Sequence, residues 1–404
     1  MPIPFSEMSR ADSPPTIESS PDIKEYSTFD VMNLPENLLR GIYANGFDKP
    51  SVIQQKAIVP MVEGNDLLAQ AQSGTGKTGT FCIGSLARID PTIKAPQVLV
   101  LAPTRELSQQ IHSVATALSQ YLGITVHSAT GGSPISEDLR ALERGAQFIV
   151  GTPGRIFDLM RRNAFDRRNM RVIIMDEADQ MLEDRFREQV LCIMEFQFPK
   201  DVRLALFSAT MAPEVVEVAD KFLQNPVRIL LPPDNVTLEG IKQFVVCVPR
   251  EEHKFEILLD LYNRLTISQA IIYVNKRQKA EYLAQKMSDA GFSLAFIHGE
   301  MDVNERKTRM SNFRKGQQRV LISTDLLARG IDVQQVSLVI NFELPVQREN
   351  YIHRIGRSGR FGRKGCAINL LLEGDEVKAM QDIEQYYSPS IEELPDPKVV
   401  NTYL

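Results

Sequence analysis

Asp176, Glu177 and Asp179 place three carboxylates within four residues, directly after the apolar run 172–175. Such a position suits ligand binding, because ligands of open α/β sheets sit at the carboxyl ends of the strands. Alone, the cluster also reads as an acidic helix start, favoured by the positive end of the helix dipole. A second stretch decides between the two. Residues 71–78, Ala-Gln-Ser-Gly-Thr-Gly-Lys-Thr, depart from the phosphate loop GxxxxGK[ST] only in having Ala71 for the first glycine. The glycines of such a loop let backbone N–H groups converge on a β-phosphate, aided by the next helix's positive end. Lys77 then reaches the β- and γ-phosphates, and the Thr78 hydroxyl ligates Mg²⁺.

Other polar clusters follow the same logic. Ser51 caps a helix running through Ile58. Gln54 on that helix offers a donor and an acceptor together, which suits an adenine edge. An upstream aromatic, Phe29 or Phe47, would stack on such a base, although in isolation the stretch reads better as a capped surface helix with a solvated glutamine. Thr104 and Arg105, Thr152 and Arg155, and Ser208 to Thr210 stand at strand ends beside helix starts, where such residues suit phosphate-backbone ligands. Gly131-Gly132 lets a polyanion approach the main chain. Thr, Arg, Gly and Asp gather again at 323–332. The densest basic stretch is 348–364, with arginines three apart at Arg354, Arg357 and Arg360. A planar guanidinium binds phosphate bidentately and stabilises charge on a transferring γ-phosphoryl group.

Residues 66–78 read as strand, loop and helix, and apolar runs at 98–101, 148–150, 172–175 and 204–207 alternate with helical segments, which predicts a mostly parallel, doubly wound α/β sheet. Leu34, Leu38, Leu39 and Ile42 recur at helical spacing, and Gly46 ends that helix. Pro232-Pro233 and Asp234-Asn235 break both periodicities, which places a linker at 232–240. Runs at 244–248, 270–274, 294–297, 320–322, 338–340 and 367–371 then restart the alternation without a second Gly-Lys-Thr. Two α/β domains are expected, 28–231 and 241–396, since 404 residues exceed one ordinary core. The proline-rich residues 1–27 and the end, 397–404, are expected to be tails. Four scattered cysteines read as free thiols in a reducing compartment. Neither a membrane span nor a secretory signal is expected. A net charge of −5 argues against a whole-surface polyanion binder but leaves room for a local basic groove.

Taken in order over 29–372, these stretches resemble the DEAD-box ATP-dependent RNA helicases of superfamily 2. Residues 73–78 and 349–365 look most like the eukaryotic translation initiation factor 4A branch, with its exon-junction-complex paralogue and nucleolar relatives as close competitors. The resemblance implies two RecA-like domains on a short linker that close around ATP, Mg²⁺ and one RNA strand. It assigns adenine recognition to Lys49 and Gln54 with Phe29 or Phe47, and phosphate binding to Gly74, Thr75, Gly76, Lys77, Thr78 and Gly79. Mg²⁺ falls to Thr78 and Asp176, the attacking water to Glu177, and the ribose to Asp332. Arg357 and Arg360 become arginine fingers. RNA contacts fall to Thr104, Arg105, Gly132, Thr152, Arg155, His298 and Thr324. Coupling of hydrolysis to closure falls to Asp179, Ser208, Thr210 and His353. It further implies a monomeric core, a scaffold or stimulatory protein bridging the domains, and a cytoplasmic protein with a nuclear alternative. Catalytic helicase and slow ATP-dependent clamp remain open as end uses, because both need the same motifs.

Overall fold

The apolar runs of the first half assemble into one parallel sheet. A computed structural model describes residues 18–21, 23–71, 74–182, 184–230, 241–325, 335–359, 364–387 and 391–404. The first seven strands are β1 (Leu67–Gln70), β2 (Val98–Leu101), β3 (Val126–Ala129), β4 (Phe148–Gly151), β5 (Val172–Asp176), β6 (Arg203–Ser208) and β7 (Val227–Leu230). They lie in the order β3-β4-β2-β5-β6-β1-β7, every pair parallel. Parallel strands need helical crossovers, which cover both faces, so the inner strands are mostly continuous apolar runs, with polar residues chiefly at their ends. Alternate residues divide between two cores. Val98 and Val100 pack under the helices Val52–Glu63, Lys77–Leu86 and Arg105–Leu118, while Leu99 and Leu101 face Pro153–Arg161 and Pro213–Phe222.

The second half repeats the plan. Its strands are β8 (Ile241–Val248), β9 (Gln269–Tyr273), β10 (Leu294–Ile297), β11 (Val320–Ser323), β12 (Val336–Asn341), β13 (Gly365–Leu372) and β14 (Ile391–Glu393). The order β10-β11-β9-β12-β13-β8-β14 matches that of the first sheet strand for strand, and all pairs are again parallel. The chain divides into two compact units at 231/232. The expected linker, 232–240, lies outside the described residues.

Three strands escaped the sequence pattern, and all three are edge strands. β3 is half-buried and carries His127 and Ser128; β7 lies between prolines; β14 has only three residues. A strand covered on fewer sides needs no continuous apolar run.

Both expected tails are shorter than their composition implies. Residues 1–17 and 22 lie outside the described residues, but Ser20 donates its N–H to the Arg228 carbonyl at 2.9 Å. Ile23 and Tyr26 pack against the first core. At the other end, Asp396 caps a helix, Pro397–Val400, and accepts from the Lys398 N–H. Val400 is fully buried in the second unit, with Tyr403 and Leu404 against the same core. Sparse apolar residues hid this packing, since one valine and two flanking side chains make no periodic pattern. Val400→Asp buries an unpaired carboxylate and should destabilise the second unit by more than about 2 kcal/mol. An unchanged denaturation midpoint would restore 397–404 as a tail.

Candidate active site and nucleic-acid surface

Strands β5, β6 and β1 are neighbours, so the loops at their carboxyl ends meet. The Ala71 N–H donates to the Ser208 carbonyl at 2.9 Å, joining the loop after β1 to that after β6. From β1 the chain passes Gly74 and Gly76, both at positive φ, into the helix Lys77–Leu86. Gly76, at φ 105°, caps that helix in a conformation that favours glycine. A Cβ on Gly76 would lie 2.7 Å from Ser51 Oγ, and one on Gly79 would lie 2.9 Å from the Phe47 ring. The phosphate loop, the Ser51 helix cap and Phe47 therefore form one packed unit.

Lys77 Nζ lies 3.3 Å from Glu177 Oε1, and both side chains are at least 95% buried. Glu177 takes φ 54°, ψ 53°, a left-handed conformation unusual for a residue with a side chain. Such strain costs about 1–3 kcal/mol and is characteristically stored at functional sites. The Glu177 N–H donates to Asp176 Oδ1 at 3.0 Å, fixing the two carboxylates relative to each other. Burial pushes the Asp176 carboxyl up to about 7; Lys77 opposes this shift, while Glu177 and Asp179 add to it. A buried carboxylate so poorly compensated suits a divalent cation, whose charge favours the ionised form. Asp176 thus has the chemistry of an Mg²⁺ ligand, and Thr78 stands in the first turn of the helix Lys77–Leu86. The Thr210 hydroxyl donates to Asp179 Oδ2 at 2.8 Å, and the Thr210 N–H reaches Ser208 Oγ at 3.4 Å. Asp179 is thereby tied to the loop after β6.

The adenine-site expectations divide. Phe29 is fully buried, its ring edge-on to Tyr43 at 6.3 Å, and so presents no face to a base. Core packing claims it, leaving Phe47 as the aromatic beside the phosphate loop. Gln54 is 3% exposed. Its Oε1 accepts from the Ser51 N–H at 2.9 Å, and its Nε2 donates to the Gly76 carbonyl at 3.3 Å. The amide braces the phosphate loop against the helix start. Lys49 is exposed.

The other side of the first sheet gathers the phosphate-backbone candidates. Strands β3, β4 and β2 are adjacent, and their ends carry Gly131-Gly132, Thr152 and Thr104. Thr104 caps its helix by accepting from the Leu107 N–H at 3.2 Å. Thr152 occupies the N-cap position of Pro153–Arg161, and Arg105 Nη2 is 3.4 Å from a Cβ built on Gly131. Arg155 departs from its expected role. Its Nη1 pairs with the buried Asp138, which also holds His127 Nε2 at 2.8 Å, and its Nη2 donates to the Ser133 carbonyl at 2.6 Å. This guanidinium supports the Gly131-Gly132 loop from inside. Asp138, unmarked by any motif, organises that support.

In the second unit, His298 and Thr324 follow the adjacent strands β10 and β11, the counterparts of β3 and β4. His298 is 6% exposed, and its Nε2 lies 3.2 Å from Glu281. Burial lowers its pKa, with Glu281 opposing. His353 and Arg357 are also buried, and Arg357 Nε donates to the His353 carbonyl at 3.1 Å. Asp332 and Arg360 lie outside the described residues. The basic stretch read as a row of phosphate ligands contains one arginine of another kind. Arg354 is fully buried and binds Asp325 at 2.6 Å, Asn275 at 2.7 Å and the Glu343 carbonyl at 2.6 Å. Its spacing of three from Arg357 concealed this difference.

Comparison with known proteins agrees with the geometry. Residues 51–218 match the DEAD/DEAH box helicase family, and residues 253–362 match the helicase conserved C-terminal domain. The ATP-dependent RNA helicase eIF4A of Candida glabrata is 55% identical over 94% of this chain and 95% of its own. The ATP-dependent RNA helicase FAL1 of Mycosarcoma maydis is 51% identical over 95% and 96%. Among solved structures, S. cerevisiae Dbp5 bound to RNA and ADP BeF3 superposes with a TM-score of 0.87 at 36% identity. That alignment covers 94% of this chain and all of the other. With two RecA-like units, one of them carrying the phosphate loop and the buried acids, the chain belongs to the DEAD-box helicases and is an ATP-dependent RNA helicase that uses ATP and Mg²⁺.

Proposed function

We propose that hydrolysis takes place where Lys77 meets Glu177, and that closure of the two units on single-stranded RNA completes the site. The observation that carries this is Glu177, buried, held at positive φ and 3.3 Å from the phosphate-loop lysine. Glu177 orients a water and accepts its proton as the oxygen attacks the γ-phosphorus. The bond to the bridging oxygen breaks, and ADP leaves with the electron pair. Lys77 and the backbone around Gly74, Thr75 and Gly76 hold the phosphates, and Phe47 lies against the base. Thr78 and Asp176 would hold Mg²⁺, which would supply charge neutralisation for the phosphates. Arg357 and Arg360 act on the γ-phosphate from the second unit, and Asp332 meets the ribose. Asp179, Ser208, Thr210 and His353 tie closure to chemistry.

RNA lies along the β3-β4-β2 edge and the β10-β11 edge, touched by Thr104, Arg105, Gly132, Thr152, His298 and Thr324. Contacts of this kind, to phosphate and 2′-hydroxyl, read little sequence. Arg155 serves RNA indirectly, by supporting the glycine loop. The cellular role we infer is in translation initiation, in the cytoplasm, with a scaffold protein bridging the two units. The similarity to relatives named eIF4A supports this role. The second reading is a nuclear RNA-processing role, and the chain is nearly as similar to a relative named FAL1 rather than eIF4A. No helix among the described residues is long and apolar enough to cross a membrane. Recovery of initiation factors with the tagged chain in the presence of RNA favours the first role; recovery of ribosomal-precursor or splicing-related proteins favours the second.

Glu177→Gln should keep ATP binding and lower RNA-stimulated phosphate release by about a hundredfold or more; wild-type turnover would remove Glu177 from the chemistry. Arg155→Ala should weaken RNA binding while leaving the slope of log K against log salt unchanged. A slope lower by about one charge would instead make it a phosphate contact. The Asp176 carboxyl, raised in the fold to about 7, keeps its proton between the unfolded value of about 3.9 and that pH. Stability from this group is therefore lost as pH rises through about 7. In urea without Mg²⁺ or nucleotide, Asp176→Asn should gain more stability over the wild type at pH 8 than at pH 5.5. An equal gain at both would refute the assigned shift.

A further inference from the structure

The helix Arg348–Ile355 carries His353 and leads directly into Arg357, and it meets the second sheet through an unusual polar seam. Asn341 on β12 and Asn369 on β13 are in register, both fully buried, and joined by an Asn341 Nδ2 to Asn369 Oδ1 bond of 2.8 Å. Asn369 Nδ2 donates to the Phe244 carbonyl at 3.0 Å and to the Tyr351 hydroxyl at 3.2 Å. That hydroxyl donates onward to Gln243 Oε1 on β8 at 2.8 Å. At the other end, Asn341 Oδ1 accepts from Arg354 Nη1 at 3.3 Å. Tyr351 and Arg354 are three residues apart and share one helix face. The sheet therefore grips that face at two points, through a chain that begins and ends on the same helix.

Val339, Ala367 and Leu371 fill the other positions on this face of the two strands, so apolar side chains suit the fold here. Polar groups buried at such places bond in only one arrangement, whereas apolar contacts tolerate sliding and rotation. Two anchors on one face fix both the roll and the axial position of the helix. Arg357, one residue past its C-cap Gly356, inherits that orientation. A guanidinium stabilising charge on a phosphoryl group must be placed to within a fraction of an ångström.

We propose that Asn369 and Tyr351 are positioning residues for Arg357: they hold the arginine-bearing helix in the one roll that points its guanidinium at the γ-phosphate. This rests on the reading of Arg357 as a γ-phosphate ligand. Neither residue touches substrate; each acts through the helix.

The test uses the full chain, with ATP and single-stranded RNA at saturation. Asn369→Leu should lower kcat about ten- to hundredfold, in line with displacing a catalytic group by about an ångström. The KM for ATP and the RNA affinity should stay within about twofold, because those contacts lie elsewhere. Tyr351→Phe removes a single hydroxyl and should give a smaller fall in kcat with the same unchanged KM. It keeps the test alive if the asparagine variant fails to fold. Ile368→Ala, on the neighbouring position of β13, serves as the control for stability loss and should retain wild-type kcat. An equal fall in kcat for Ile368→Ala at matched stability overturns the proposal, since general loosening would then suffice. Wild-type kcat in both seam variants, with Arg357→Ala impaired, overturns the proposal alone. Wild-type kcat in Arg357→Ala overturns the reading of the arginine and the proposal together.

Discussion

Lys77, Asp176 and Glu177 are each at least 95% buried, with one cation among them and a third carboxylate, Asp179, two residues further on. Charge in a low-dielectric interior is costly unless paired, and this cluster has more acid than base. That surplus is what a divalent cation would offset in the proposed site. It also sets the demands on the scaffold. Neighbouring carboxylates repel, and a rigid frame keeps them close. A central strand with parallel neighbours on both sides supplies the frame, and the left-handed turn at Glu177 aims the second carboxylate at the phosphate loop.

The duplicated strand order gives a simple relation between sheet position and role. The ends of β5, β6 and β1 carry the buried acids, the Ser-Ala-Thr loop and the phosphate loop. The ends of β3, β4 and β2 carry threonines and glycines beside helix starts. In the second sheet β10 and β11 repeat the latter arrangement with His298 and Thr324, while the place of the phosphate loop is left to other residues. Ligands follow the carboxyl edge of a parallel sheet, and in the proposed reading position along that edge separates nucleotide from nucleic acid.

Arginine does two kinds of work in this reading, and burial alone does not separate them, since the proposed phosphate ligand Arg357 is buried too. Arg354 and Arg155 are enclosed and satisfied by protein acceptors, so their forks hold loops and helices in place. A guanidinium donates five N–H groups in a fixed plane, which lets one side chain tie several segments together. Such residues share spacing and neighbours with those that meet ligand phosphates. Composition therefore overcounts the phosphate ligands.

Local order along the chain settles the class of chemistry, the double α/β architecture and most inner strands. A phosphate loop, an acidic strand end and fully buried strands are each written within a few consecutive residues. The edge strands β3, β7 and β14, the packing of Val400 and the burial of Phe29 are absent from that record, because each depends on partners far away in sequence. The same holds for Arg155, whose Asp138 partner precedes it by seventeen residues, and for the seam that joins Gln243, Asn341, Tyr351, Asn369 and Arg354. Residue type states what a side chain is able to bind, and only the fold decides whether that capacity is spent on protein or left for a ligand.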